Sequence, residues 1–262
     1  MARLLTDVRN RAVLLSPAFY VLAVIAILIV GISKGGFGGG LGMVAVPLMS
    51  LVISPFDAAA ILLPMLCIMD VAGLRAYWRR WDPQNLWIIL PGGILGVLVA
   101  TLTYRWVDEQ MLRLLIGVIA VAFALNYYSQ AWRREQPARQ ASRVRGGIWS
   151  AVAGFTSFSA HAGGPPISVY LLPQRLDKTL FVGTTVVFFA FVNYIKLVPY
   201  ALLGQFRIEI LLNALLLAPV AVAGVYLGLW LHHRLSERWF YRLCYALLLL
   251  TGLRLLQQGL VG

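Results

Sequence analysis

Apolar runs about as long as a bilayer crossing recur along the chain, and charged, glycine or proline residues punctuate them. Leu86 to Thr103, Met111 to Tyr128, Leu211 to Leu231 and Trp239 to Leu256 are examples. At 1.5 Å per residue, roughly twenty helical residues match a hydrocarbon core of about 30 Å. Two other runs are interrupted. "GISKGGFGGGLGMVAVPLM", Gly31 to Met49, sets a lysine and seven glycines between apolar segments. "GFTSFSAHAGGPPISVYLL", from Gly154, places hydroxyls, an imidazole and a Gly-Gly-Pro-Pro step at the matching point. Both read as helices that stop inside the apolar layer and restart.

The two interrupted runs head two similar halves. Gly31 aligns with Gly154 and Gly40 with Gly163. Each half then supplies an aspartate suited to a helix start, Asp57 and Asp177. Pro91 aligns with Pro219 and Gly96 with Gly224, and the same register pairs Asp108-Glu109 with Ser236-Glu237. The competing explanation is chance likeness between lipid-facing helices. The pattern predicts an all-α integral membrane protein of two homologous repeats, each an interrupted pair plus three transmembrane helices. The predicted organisation is an N-terminal segment 1–16, repeat 1 over 17–130, an Arg-rich loop over 131–146 and repeat 2 over 147–258. In repeat 1 the pair is predicted over 17–32 and 39–53, with spans over 57–78, 86–105 and 110–128. In repeat 2 the pair falls over 147–159 and 164–173, with spans over 177–203, 208–232 and 239–256.

Composition supports the membrane reading. The chain has 262 residues, 60% hydrophobic and 12% charged, more apolar surface than a soluble domain of this length can hide. The formal charge of +12 invites a nucleic-acid partner. The basic residues instead sit at the ends of apolar segments, as the positive-inside rule describes, so no nucleic acid is expected. "RAYWRRWD" and the loop "AWRREQPARQASRVR" are placed in the cytoplasm. Two arrangements satisfy that placement. Interrupted pairs that enter and leave on one side make inverted copies, and pairs that make one broken crossing make parallel copies. Half-helices of about 15 residues, roughly 22 Å, are short for a crossing and favour inversion. The first apolar stretch lacks a clear small-residue cleavage site and does not read as a cleavable signal peptide. Cys67 and Cys244 fall within predicted helices and read as buried thiols. No metal and no cofactor is expected.

The breaks carry the candidate chemistry. Unwound backbone at membrane depth survives only where protein or a water-filled cavity covers it. A restarting helix aims free N–H groups and a positive dipole end into that space, which suits an anion. Lys34 is expected to add its charge to the N–H groups of Gly38, Gly39 and Gly40, the alternative being a lysine that snorkels to an interface. In the second half, Thr156, Ser157, Ser159 and His161 offer hydrogen bonds beside Gly163 and Gly164, and Pro165 and Pro166 suit a first helical turn. Asp70 is a carboxylate deep in its span, a candidate partner for Lys34 or carrier of a coupling proton, a role His161 could share. Asn193 and Tyr194 are expected to line the same cavity. Lys196, nearer its helix end, is read as snorkelling. Pro64, Pro91, Pro199 and Pro219 read as kinks.

"GGFGGGLGMVAVPLM", "AHAGGPPISVYLL" and "VGTTVVFFAFVNYIKLVPY", with the duplicated layout, resemble the TauE/SafE transporters, a family of sulfite exporters. The resemblance spans nearly the whole chain. It implies a multi-pass protein of the bacterial inner membrane that exports a small anion, with sulfite, sulfoacetate and related organosulfur anions as its substrate class. Two other readings stay open: a passive anion channel, and an intramembrane serine protease built on Ser33 and His161. The repeat symmetry suits a shared binding site better than a catalytic dyad, so no enzyme is expected. The expected partners are the anion and the lipid bilayer, and a homo-oligomer stays open.

Overall fold

The computed structural model describes residues 16–39, 42–49, 52–53, 55–103, 109–130 and 138–261. Residues 1–15 of the N-terminal segment, Gly40, Asp108 and the first part of the Arg-rich loop, 131–137, lie outside the described residues. Among the described residues the chain is helical, without strands, as the sequence predicts. The helices are α1 (Pro17–Gly36), α2 (Gly42–Met49), α3 (Pro55–Ala76), α4 (Pro83–Thr103), α5 (Glu109–Gln130), α6 (Arg143–Ala160), α7 (Gly164–Leu171), α8 (Lys178–Leu202), α9 (Ile208–Arg234) and α10 (Glu237–Val261). A short 3₁₀ turn, Leu172–Gln174, follows α7. Among the described residues, five of them (α1, α3, α4, α8 and α9) are long and apolar enough to cross a membrane.

The interrupted pairs are less even than predicted. α1 has 20 residues and α6 has 18, while α2 and α7 have eight each. The first break therefore starts at Phe37 rather than after Ile32. Gly35 and Gly36 stay helical because their bare backbones pack on α9. A Cβ on Gly35 would lie 2.2 Å from the Val225 carbonyl oxygen, and one on Gly36 would lie 2.5 Å from that of Gly228. Local glycine content disfavours helix, and close helix–helix packing overrides it.

The same kind of contact recurs elsewhere. α6 packs along α4, where a Cβ on Gly154 would lie 2.1 Å from Gly93 O and one on Gly96 would lie 2.0 Å from Ala151 O. The long arm of each interrupted pair thus packs against a helix of the other half: α1 on α9, and α6 on α4. α3 packs on α8 and α5 on α10. Caps fix several starts. The Ser16 hydroxyl accepts from Phe19 N at 3.2 Å, and the Asp177 carboxylate accepts from Thr179 N at 2.8 Å and Leu180 N at 3.2 Å. Asp57 lies in the first turn of α3 and pairs with Arg207.

Contacts also sort the helix ends. At one end Asn85 bonds Gln174 at 2.9 Å, Arg139 N donates to Pro173 O at 2.9 Å, and Lys178 donates to His232 O at 3.0 Å. Arg79, Arg80, Arg175 and Arg234 adjoin these residues, so we call this the basic end. At the other end lie the Asp57–Arg207 pair and the 2.9 Å bond from Tyr20 Oη to Asn213. α1 and α3 both start at this second end, and α6 and α8 both start at the basic end. Each interrupted pair returns to the end from which it set out.

Candidate functional site

At the first break, Lys34 sits in the last turn of α1 and is 4% exposed. Its amine donates to Leu66 O at 3.1 Å and lies 2.6 Å from Asp70 Oδ1. Asp70 is fully buried, and its Oδ2 accepts from Asn193 Nδ2 at 2.7 Å. Oδ1 has no donor aligned on it, so its contact with Lys34 is an electrostatic pairing rather than a well-formed hydrogen bond. The closing carbonyls of α1 find side-chain donors. Tyr77 Oη donates to Gly35 O at 2.6 Å, and His232 Nδ1 faces Gly36 O at 3.2 Å. Burial pushes the Tyr77 phenol up, which keeps it the donor. Gly38 and Gly39 then take φ of +73° and +79°, a region that favours glycine.

The geometry corrects two readings of Lys34. Its burial excludes snorkelling. Its amine also points at Asp70 and Leu66, not at the glycine N–H groups. The Gly39 N–H closes α1 by donating to Ser33 O at 3.0 Å, so it is committed to the helix end.

At the second break, His161 ends α6 with φ of +51°, at the position that aligns with Gly38. The ring of His161 faces Ala59 O through Nε2 at 3.1 Å and the Lys196 amine through Nδ1 at 3.1 Å. A carbonyl only accepts and an ammonium only donates, so Nε2 carries the proton and Nδ1 the lone pair. Lys196 is fully buried and also donates to Ser157 O and Ser157 Oγ, each at 3.0 Å. This overturns the snorkelling expectation for Lys196. The helix turns that residue inward on the stripe shared with Asn193 and Tyr200, which are buried too. Tyr194, expected in the cavity, is 41% exposed on the outer stripe with Phe191 and Val198.

The other candidates of the second half divide. Ser159 Oγ donates to Phe155 O at 3.2 Å within its own helix. Thr156 Oγ1 lies within bonding distance of Ala153 O at 3.3 Å and Ala162 O at 3.0 Å, across the break. Gly163 and Gly164 open α7, and Pro165 and Pro166 fill its first turn as predicted. A Cβ on Gly163 would meet Ala153 O at 2.7 Å and the Ser157 Cβ at 2.9 Å, so the break lies tight against α6.

A serine hydroxyl 3.0 Å from a lysine amine also resembles a nucleophile and its base. Here the amine also contacts the Ser157 carbonyl and His161 Nδ1, so it is tied into the hydrogen bonds of the break as a whole.

The two breaks approach each other across one ring that sequence reasoning missed. A Cβ on Gly39 would lie 3.5 Å from Phe189 Cε2, and one on Gly163 would lie 2.9 Å from Phe189 Cε1. Asn193 and Lys196, one turn apart on α8, join the Asp70 cluster to the His161 cluster. Among the described residues, no group of three or more His, Cys, Asp or Glu is arranged to hold a metal. Cys67 is a buried free thiol, and the Cys244 side chain lies outside the described residues.

Apolar helices broken twice surround these buried charges, and one comparison with known proteins bears on what they are for. The family model described as Sulfite exporter TauE/SafE matches residues 23–255. The chain belongs to the TauE/SafE family. No curated protein and no solved structure matches it. The matched TauE/SafE region contains both breaks, α8 with Asn193 and Lys196, and Asp70. As a TauE/SafE protein with, among the described residues, five helices long and apolar enough to cross a membrane, the chain is a multi-pass membrane transporter.

Proposed function

We propose that the chain is a secondary transporter that exports a small anion, sulfite, sulfoacetate or a related organosulfur anion, bound between the two helix breaks near the bilayer midplane. The observation that carries this reading is the buried grouping of Lys34, Asp70 and Asn193 with Ser157, His161 and Lys196 across both breaks. Charged groups at such depth are costly and mark substrate or ion paths. Gly38 and Gly39 at one break, and Gly163 and Gly164 at the other, bring bare backbone to the same space, and Gly40 joins the proposed site by its place in the sequence. Ser159 is the weakest member, since its hydroxyl is engaged within α6.

In this reading the halves are two inverted copies of one unit. The exchanged packing of α1 on α9 and α6 on α4, and the return of each pair to opposite ends, support it. The basic end faces the cytoplasm of a bacterial inner membrane. Asp70 is the better coupling group, because both ring nitrogens of His161 are engaged. Burial of Lys34, Asp70 and Lys196 favours alternating access over a passive channel.

Calorimetry on the purified protein in detergent tests the reading, with sulfite, sulfoacetate, sulfate, chloride and a carboxylate as titrants. Saturable binding of a sulfur anion, lost in Lys34→Ala, is the expected result. No binding of any of these anions to the wild type would overturn it.

A further inference from the structure

The two buried lysines differ in what they face. Lys34 lies against a carboxylate, and its charge is cancelled by Asp70 at 2.6 Å. Lys196 faces a carbonyl, a hydroxyl and an imidazole nitrogen, and all three are neutral acceptors. Among the described residues, no carboxylate lies within ion-pair distance of it. The contacts of Lys196 accommodate an ammonium. Ala59 O requires the proton on His161 Nε2, so Nδ1 must accept, and the amine must donate to it. A second amine hydrogen goes to Ser157 O and the third to Ser157 Oγ, which matches an ammonium. The imidazole, with one proton, adds no charge. With Lys196 as the ammonium, Lys34, Asp70, His161 and Lys196 sum to a single positive charge inside the bundle.

We infer that Lys196 is the seat of the transported anion's head, held at the second break by Ser157 and His161, and that the cluster selects a monoanionic head over a dianionic one. This rests on the anion-transport reading above. Sequestering an ammonium from water costs several kcal/mol, and neutral dipoles offset only part of that. One negative charge completes the compensation, and two would leave a buried excess of the opposite sign. The local backbone explains why a side chain takes this part. Pro165 and Pro166 remove two N–H groups from the first turn of α7, so the anion-binding capacity usual at a helix start is reduced there. Ser157 Oγ is the acceptor that can yield. Rotation of its hydroxyl releases one ammonium hydrogen to the anion and turns the O–H toward an anion oxygen. The carbonyl and imidazole contacts keep the lysine in place meanwhile.

The test uses the full chain purified in detergent. Methanesulfonate and sulfate serve as monoanionic and dianionic probes of one tetrahedral oxyanion head, titrated by calorimetry. The wild type is expected to bind methanesulfonate about tenfold more tightly than sulfate, and Lys196→Gln to lose about a hundredfold in methanesulfonate affinity. Asp70→Asn leaves Lys34 uncompensated, raises the cluster by one charge and is expected to reverse the preference toward sulfate. A wild type that binds neither probe nor any sulfur anion overturns the transport reading itself. A wild type that binds while Lys196→Gln stays within about threefold of it overturns the assignment of Lys196 alone. If Lys196→Gln yields no monodisperse protein, the Asp70→Asn titration decides, and an unreversed preference overturns the inference.

Discussion

The first and second breaks solve one problem with opposite materials. At the first, the helix end carries the cation, and the crossing helix α3 answers with a carboxylate. At the second, the crossing helix α8 carries the cation, and the helix end answers with a hydroxyl, a carbonyl and an imidazole. The first cation has a carboxylate within ion-pair distance, and among the described residues the second has none. The two breaks share a positive φ after the first helix and differ in what their lysines face.

The sharpest way to break this comparison is to remove one member from each cluster and compare stabilities. Asp70→Ala strands the Lys34 ammonium and is expected to cost about 3–5 kcal/mol. Lys196→Met strands only neutral acceptors and is expected to cost about 1–3 kcal/mol. Thermal melts in detergent check the order, and a larger loss for Lys196→Met would overturn the contrast. The exchanged helix packing comes next. Gly35→Ala and Gly96→Ala each push a methyl into a backbone carbonyl of the other half, and each is expected to cost about 1–3 kcal/mol. Similar losses of melting temperature would sharpen the equivalence of the two interfaces, and a silent Gly96→Ala would break it. Gly38→Ala places a Cβ at φ +73° and 2.8 Å from Phe181 Cε1, where the ring must shift, and is expected to cost about 1–2 kcal/mol. His161 already occupies the matching conformation with a side chain that bonds on both ring nitrogens. Ser159→Ala is expected to change melting temperature and anion affinity least, by less than about 0.5 kcal/mol, because its hydroxyl serves only its own helix.

The helices and both interruptions were legible in the sequence, because apolar length and glycine or proline clusters are local signals. The Asp177 cap and the Pro165-Pro166 start were legible for the same reason. The unequal arms were not. Gly35 and Gly36 look like breakers until Val225 and Gly228 are brought beside them. The partnership of Lys34 with Asp70 was among the readings, but the direction of the lysine was not, since a helix end exposes both carbonyls and glycine N–H groups nearby. Lys196 was missed because distance from a helix end was weighed above helix face. A usable signal was present. Asn193, Lys196 and Tyr200 fall on one stripe of α8, and Phe191, Tyr194, Val198 and Leu202 fall on the opposite one. Phe189 had no such signal, because nothing in an aromatic within an apolar helix says that two breaks will meet at its ring.

The seam between α1 and α9 also sets an order of events during synthesis. Lys34 and Asp70 are both made early and can pair once α3 exists. The partner of Gly31, Gly35 and Gly36 is α9, whose residues 208–234 leave the ribosome after most of the chain. Until then the bare face of α1 has lipid or a provisional neighbour beside it. A nascent chain halted before α9 would hold the ion pair without the seam. Crosslinks from α1 to α9 that appear only after residue 234 is made would mark the moment at which the two halves become one protein.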